Sequence, residues 1–250
     1  ADLTAQGVRF SSKSDSEILL RLYQRQGLKA TLPLLRGEFA FALFDRAEDC
    51  LYLVRDRFGI KPQYWAMTPE GLVFGSELKV LFAHPAVERR FTSEGLFHQL
   101  MQTMVPGTTA FAGVHQVKPG HVLKVQRVNG HLEVSESTYW DVDFPRKDER
   151  DPKRTEADHI AAVRAALLEA VELRMVADVP VGCYLSGGID SCSILGLASA
   201  VSQAPVKAFT IGFDDARYDE SPIAREMAEA TGAEQDLMRL SGQELSLIHI

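Results

Sequence analysis

No stretch of this sequence approaches the roughly 18 consecutive apolar residues that a membrane-spanning helix needs. Its opening residues also lack the basic segment followed by an apolar one that marks a secretion signal. Neither a membrane partner nor export is therefore expected. Cysteine is scarce: Cys50, Cys183 and Cys192 are an odd number without CxxC spacing, which reads as reduced thiols in a cytoplasmic protein. Seven histidines form no HExxH motif and no close ligand pair, so no zinc site is expected. Positive charge is in deficit as well. With 27 Lys and Arg against 34 Asp and Glu, the net charge is −7, which argues against a nucleic-acid partner. Internal repeats and low-complexity tracts are absent.

What is present is core-forming material: 46% of the residues are hydrophobic and 24% charged, enough to bury one large domain or two ordinary ones. Ile18, Leu19, Leu22 and Tyr23 share one helical face behind Ser14, Asp15, Ser16 and Glu17, residue types that cap a helix and suit its first turn. Four short aromatic and aliphatic segments follow at 37–45, 50–56, 63–67 and 71–77. Their short turns predict antiparallel hairpins in a meander. FAFALF within the first is apolar throughout, so cover on both faces is expected there. A helix is predicted over 93–104 with Ser93 as cap, and a hairpin over 121–140 around Asn129-Gly130. Residues 143–157 carry two prolines, mixed charge and almost nothing apolar. That segment divides the chain into domains at 1–142 and 158–250, with 143–157 as the linker. Thr155 and Asp158 suggest a capping box for a helix whose apolar face would be Ile160, Val163, Leu167, Val171 and Met175. Strand and helix then alternate: 181–185, 191–201, 206–213, 221–232. Such alternation implies a parallel sheet.

Between the first of those strands and its helix stands Leu185-Ser186-Gly187-Gly188-Ile189-Asp190-Ser191. A glycine loop at the carboxyl end of a parallel strand lets main-chain N–H groups approach an anion closely. The helix behind it adds free N–H donors and a positive dipole end, so phosphate is the expected guest. Asp190 would repel bare phosphate, which suggests a bridging Mg²⁺. The loop is not GxxxxGK[ST], and no lysine follows the glycines. The competing reading is a plain Gly-Gly turn with Asp190 and Ser191 capping the helix.

Ser186 to Ser191 resemble the pyrophosphate loop of the N-type ATP pyrophosphatases. Residues 34–66, 75–81, 105–121, 138–140 and 178–191 further resemble, in order, the glutamine-hydrolysing asparagine synthetases. The resemblance implies an αββα glutaminase sandwich of N-terminal-nucleophile type, truncated at its N-terminus. An α/β parallel-sheet ATP pyrophosphatase domain would begin after it. It further implies glutamine, aspartate and ATP as small-molecule substrates, Mg²⁺ beside the phosphates, and asparagine made through β-aspartyl-AMP; a homodimer stays open. Carried over by residue, Asp15 would bind the glutamine ammonium rather than cap a helix. Leu185, Ser186, Gly187, Gly188, Asp190 and Ser191 would bind ATP, with Asp190 the Mg²⁺ residue. Ile211 would lie against the nucleotide, or else in the sheet core. Arg55-Asp56, Gly59 to Pro62, Glu77 and Lys79 would serve the fold, while Asp219-Glu220 has no assigned role.

The sequence also departs from the family pattern. Residue 1 is alanine where the family has its cysteine nucleophile, and the Asn-Gly-Glu segment is absent. The second acidic loop of the synthetase site is absent too, and the closing ELSLIHI aligns with nothing in the family. The expectation is thus an incomplete piece of such a synthetase, without catalytic residues of its own. Two other readings stay open: the same architecture amidating or cyclising a different carboxylate, and a non-catalytic remnant.

Overall fold

The computed structural model describes residues 2–103, 105–149, 151 and 153–247. It divides the chain into two compact units, Ala1–Phe144 and Pro145–Ile250. The closing residues 248–250 and Ala1 lie outside the described residues.

In the first unit the elements run α1 (Asp2–Ala5), α2 (Asp15–Thr31), β1 (Ala40–Asp45), β2 (Cys50–Arg55), β3 (Tyr64–Thr68), β4 (Gly71–Gly75), α3 (Leu78–Leu81), α4 (Ser93–Leu100), β5 (Val114–Gln116), β6 (His121–Val128) and β7 (His131–Thr138). They build two antiparallel sheets, ordered β1-β2-β6-β7 and β4-β3-β5. Period-two alternation sorts their side chains into layers. Leu51 and Leu53 of β2 with Leu123 and Val125 of β6 meet Trp65 and Leu72 of the other sheet. The intervening positions, Tyr52, Val54 and Val122, pack under Leu28 of α2 and Leu32. On the far side Ala66, Val73 and Val114 pack under Leu78 and Leu81 of α3. The result is helix on sheet on sheet on helix, the αββα sandwich.

Three sequence expectations need correction here. The four early strands do not form one meander: β1–β2 and β3–β4 are hairpins of different sheets. β1 is not covered on both faces. As an edge strand it turns Phe41 toward the helix layer, whereas Ala42 and Phe44 are exposed, Phe44 to 55%. The inter-sheet cluster does not extend to that edge. The cap of α4 is Thr92 rather than Ser93, its hydroxyl accepting the Gly95 N–H. The Asn129-Gly130 hairpin stands as expected, both residues having the positive φ that a type I′ turn demands.

The crossing from β2 to β3 is organised by a buried dipeptide. Arg55 donates to the carbonyls of Lys61, Val117 and Gly59. The Asp56 carboxylate accepts the N–H groups of Phe58, Ile60 and Lys61. The Asp56 carbonyl accepts those of Gly59 and Gly120. The Tyr139 hydroxyl closes the arrangement by donating to the Arg55 carbonyl at 2.9 Å, and burial pushes that phenol up to about 12. Gly59 and Gly120 both have positive φ, and a Cβ on them would strike Arg55 and the Trp140 carbonyl.

The second unit holds α5 (Glu156–Arg174), β8 (Gly182–Tyr184), α6 (Ile189–Val201), β9 (Lys207–Phe213), α7 (Ser221–Thr231), β10 (Glu234–Leu240) and α8 (Gly242–Leu247). The three strands are parallel, in the order β8-β9-β10. Val171 of α5, Leu195 and Ala198 of α6, Ala208 of β9, and Ala224 and Ala228 of α7 form one core. α5 opens on the expected capping box of Thr155 and Asp158. Its expected apolar face is only partly buried, however. Val171 and Met175 join the core, while Ile160, Val163 and Leu167 stay exposed, lining an open cleft with Ile189, Cys192 and Met227. Gly232 closes α7 in the left-handed conformation.

Replacing the buried Asp56 by Ala leaves the three N–H groups of the turn that it accepts without their acceptor and should cost about 2 kcal/mol. Gly120→Ala, strained and crowded, should cost roughly 2 kcal/mol or more. Both tryptophans, Trp65 and Trp140, lie in the first unit, so urea unfolding followed by Trp fluorescence isolates it. A loss under about 1 kcal/mol for Asp56→Ala would show that the turn stands without its carboxylate.

Candidate functional site

β8 ends at Tyr184, but the chain keeps contact with β9 for one residue more, the Leu185 N–H donating to the Phe209 carbonyl at 2.8 Å. Leu185 itself is buried in the core. The glycine loop then turns the chain into α6. A Cβ on Gly187 would stand 3.0 Å from the Cβ of Glu220 and 3.2 Å from that of Ile223. A glycine is required there for the start of α7 to lie against the loop. At Gly188 φ is −75° and an added Cβ meets only the Ser186 hydroxyl, at 3.3 Å.

The two serines hold the loop's shape. Ser191 Oγ accepts the Ser186 N–H at 3.2 Å, lies 2.9 Å from Ser186 Oγ, and donates to the carbonyls of Ser186 and Gly188. Ser186 Oγ in turn accepts the Gly188 N–H at 3.2 Å. The expectation that Asp190 or Ser191 caps the helix is set aside, because Gly188 is the N-cap and no side chain caps α6. By contrast α2, α4 and α5 all begin on a capping hydroxyl. The first-turn N–H groups of α6 thus keep their hydrogen-bonding capacity and a positive dipole end. Asp190 is exposed in that first turn and makes no hydrogen bond or ion pair with any described residue.

Leu185, Ser186, Ser191 and Ile211 line one cleft of about 310 Å³, together with Tyr184, Phe209, Phe213, Tyr218 and Glu220. Ile211 is 50% exposed on the face of β9 opposite the core, which removes the sheet-core alternative for it. The structure therefore brings the loop and Ile211 together, with Gly187, Gly188 and Asp190 on the same turn. The polyphosphate of a nucleotide suits a loop with uncapped N–H groups beside an apolar and aromatic wall. A metal finds no cage of its own here: among the described residues no group of three or more His, Cys, Asp or Glu could hold one. A Mg²⁺ ion would need phosphate oxygens to complete its shell at Asp190.

Asp15 belongs to the first unit and to a different cleft, about 530 Å³, shared with Arg36, Gly37, Glu38 and Lys61. It does not cap α2. Ser14 does that by accepting the Ser16 N–H at 3.3 Å, leaving Asp15 exposed with one long contact from the Ser16 hydroxyl, 3.4 Å. Lys61 and Glu38 pair at 3.3 Å in the same cleft.

Glu17 has a place in the first turn of α2 by sequence, but its task comes only from the structure. Its carboxylate accepts the N–H groups of Ser11 and Ser12 and the Ser12 hydroxyl, and pairs with Arg21 at 2.9 Å. It thereby ties the segment before Asp15 to the first turn of α2. Its position at N3 of the helix was the available signal. The aromatic lining of the second cleft was legible in principle, since Phe209, Ile211 and Phe213 alternate along β9. The approach of Glu220 was not.

The Ser11 N–H, then the Ser12 hydroxyl and N–H and the Arg21 guanidinium, hold Glu17 at about 2 against an ordinary 4.5. A depressed carboxylate favours the folded segment at pH above 4.5, and that contribution is lost as the pH falls from 4.5 towards 2. The amide shifts of Ser11 and Ser12 should accordingly titrate with a midpoint near 2, and Glu17→Gln should abolish the transition. A midpoint near 4.5 would show that these bonds do not form in solution.

Comparison with known proteins fits both units. A family model described as a glutamine amidotransferase domain matches residues 1–140, and one described as asparagine synthase matches residues 162–249. Amidase chyE of Penicillium rubens is 36% identical over 98% of this chain and 37% of its own length. Amidase chry2 of Gibberella zeae is 37% identical over 95% of this chain and 36% of its own length. The glutamine-hydrolysing asparagine synthetase 3 of Bacillus subtilis is 30% identical over 98% of this chain and 41% of its own length. The chain thus spans well under half the length of these relatives. Two matched domains in this order, one carrying the Asp15 cleft and the other the glycine loop, place the chain among the proteins that join a glutamine amidotransferase domain to an asparagine synthase domain.

Proposed function

We propose that this chain serves an ATP-dependent amidation of aspartate, with glutamine as nitrogen donor. The observation that supports the reading best is the uncapped start of α6 behind Ser186–Ser191, opening on the cleft that Ile211 lines. In this reading the aspartate β-carboxylate oxygen attacks the α-phosphorus of ATP and pyrophosphate leaves; ammonia from glutamine then attacks the acyl carbon and AMP leaves. The residues have separate tasks. The N–H groups of the loop and of the first turn of α6 hold the departing pyrophosphate, a fixed arrangement of donors where negative charge develops. The hydroxyls of Ser186 and Ser191 keep the loop in shape and can turn to the phosphates. Leu185 anchors the turn in the core, and Ile211 packs against the nucleotide. Asp190, unpaired among the described residues, would hold a Mg²⁺ ion that enters with the phosphates and would neutralise their charge. Asp15 takes the α-ammonium of glutamine as a charge-assisted pair. Residues 1–142 carry the glutamine side of the reaction, 143–157 connect, and 158–250 begin the synthetase side.

A second acceptor is favoured by one finding. Two of the most similar relatives are named amidases rather than asparagine synthetases. The same loop and the same nitrogen donor would then serve a carboxylate other than that of aspartate.

Calorimetric titration with ATP in the presence of Mg²⁺ should show binding to this chain. A Gly188→Val, Asp190→Ala double variant should bind at least about tenfold more weakly. Equal affinity would remove the loop from the reading. The reaction itself is checked on the complete open reading frame around this sequence. Pyrophosphate release that needs both aspartate and glutamine, with asparagine formed in equal amount, supports the first acceptor. Glutamine hydrolysis without aspartate-dependent pyrophosphate supports the second.

A further inference from the structure

Asp219 and Glu220 stand side by side between β9 and α7, and the structure gives them opposite tasks. Asp219 turns to its own helix, accepting the N–H and hydroxyl of Ser221 at 3.1 and 3.0 Å and facing Arg239 at 3.9 Å. The Ser221 hydroxyl and N–H foremost hold its carboxyl below the usual carboxylate range. Glu220 turns the other way. Its Oε2 accepts the Gly187 N–H of the glycine loop at 3.0 Å, and its side chain lines the cleft with Ser186, Ser191 and Ile211. Three features make this approach more than a surface contact. Gly187 has no Cβ, and one would lie 3.0 Å from the Cβ of Glu220. Leu185 and Ser186, the other early N–H donors of the turn, are already bonded to Phe209 and Ser191. Asp219 pins the start of α7 through Ser221, which fixes where the Glu220 side chain begins.

A carboxylate oxygen and a phosphate oxygen ask the same of a main-chain N–H, a short charge-assisted bond. They cannot both take the same one. We propose that Glu220 is an internal placeholder of the phosphate loop. Its carboxylate occupies one oxyanion position and must be expelled when a nucleotide's polyphosphate enters. This inference rests on the nucleotide reading of the loop and adds to it a built-in competitor. With the site empty, Glu220 keeps the Gly187 N–H paired and the loop in its binding shape. On entry the ligand displaces a carboxylate tethered to α7, so the start of that helix registers whether the loop is filled. Asp190, on the same turn and unpaired, is free to face the cation that accompanies the incoming charge.

The test is calorimetric titration of the chain with inorganic pyrophosphate and with ATP, each with and without Mg²⁺. It compares the parent with Glu220→Ala and Glu220→Asp, whose folding is checked by circular dichroism. A placeholder lowers the fraction of competent loop, so removing it should tighten metal-free pyrophosphate binding by about 3- to 10-fold. Glu220→Asp keeps the charge but shortens the reach, and should tighten binding too; tightening by Ala alone would reduce the effect to bulk charge and overturn the contact as its cause. Unchanged or weaker binding by both variants, with the parent still binding, overturns the placeholder and leaves the nucleotide reading standing. Weakening confined to Mg²⁺-containing solutions makes Glu220 a ligand of the cation and likewise overturns it. No binding of either ligand by any of the three folded proteins removes the nucleotide reading, and the placeholder with it.

Discussion

The first unit depends on a salt-bridge-forming dipeptide that makes no salt bridge in the usual sense. Arg55 and Asp56 are buried, and each spends its charge on the main chain: the guanidinium on three carbonyls, the carboxylate on three N–H groups. The chain that leaves one sheet of the sandwich for the other turns at the surface, but over two buried side chains that hold its peptide groups in place. The dipeptide supplies those side chains. It thereby fixes the residues that join β2 to β3, the approach of residues 117–120, and through Tyr139 the end of β7. The glycines at 59 and 120 follow from it, since no other residue fits the space or the φ. Lys61, which reaches the Asp15 cleft, is positioned by the same carboxylate.

The second unit uses a different economy at its glycine loop. Helices α2, α4 and α5 start on hydroxyl caps that satisfy their first N–H groups. At α6, as at α3 and α7, no side chain caps the helix, and Ser186 and Ser191 are bonded to each other and to the main chain of the turn. The free N–H groups lie at the carboxyl end of a parallel strand, where β9 turns Phe209 and Ile211 outward beside them. A local deficit in hydrogen bonding is the physical content of an anion site. Glu220 reduces that deficit by one bond without closing the cleft. α7 and the loop thus meet through a hydrogen bond as well as through the packing of Gly187 against Glu220 and Ile223.

Much of this architecture was legible in the residues. Alternation along β2, β3 and β6 marks both faces of both sheets, Asn129-Gly130 marks its hairpin, Thr155 and Asp158 mark the start of α5, and Gly232 marks the end of α7. Strand, glycine turn and helix were legible as such, and the uncapped start of α6 follows from local geometry, because N–H exposure and helix dipole are properties of a short segment. Where the reading failed, the reason was non-local. Hairpin signals cannot say which hairpins share a sheet, so β1–β2 and β3–β4 were joined although Arg55-Asp56 sends the chain across. Apolar content cannot reveal that β1 is an edge strand, nor that the early part of α5 finds no cover among the described residues.

The sequence by itself determined most of the strands and helices on either side of residues 143–157, the Asn129-Gly130 hairpin, the capping box of α5 and the glycine turn that opens α6. Each of these rests on interactions within about ten residues, whose geometry the chain carries with it. Tertiary structure decided the rest. It turned Ile211 out of the core and into the cleft. It also set Glu220 against Gly187 across 33 residues of chain. Contacts of that span depend on where strands and helices come to rest, which no local pattern encodes.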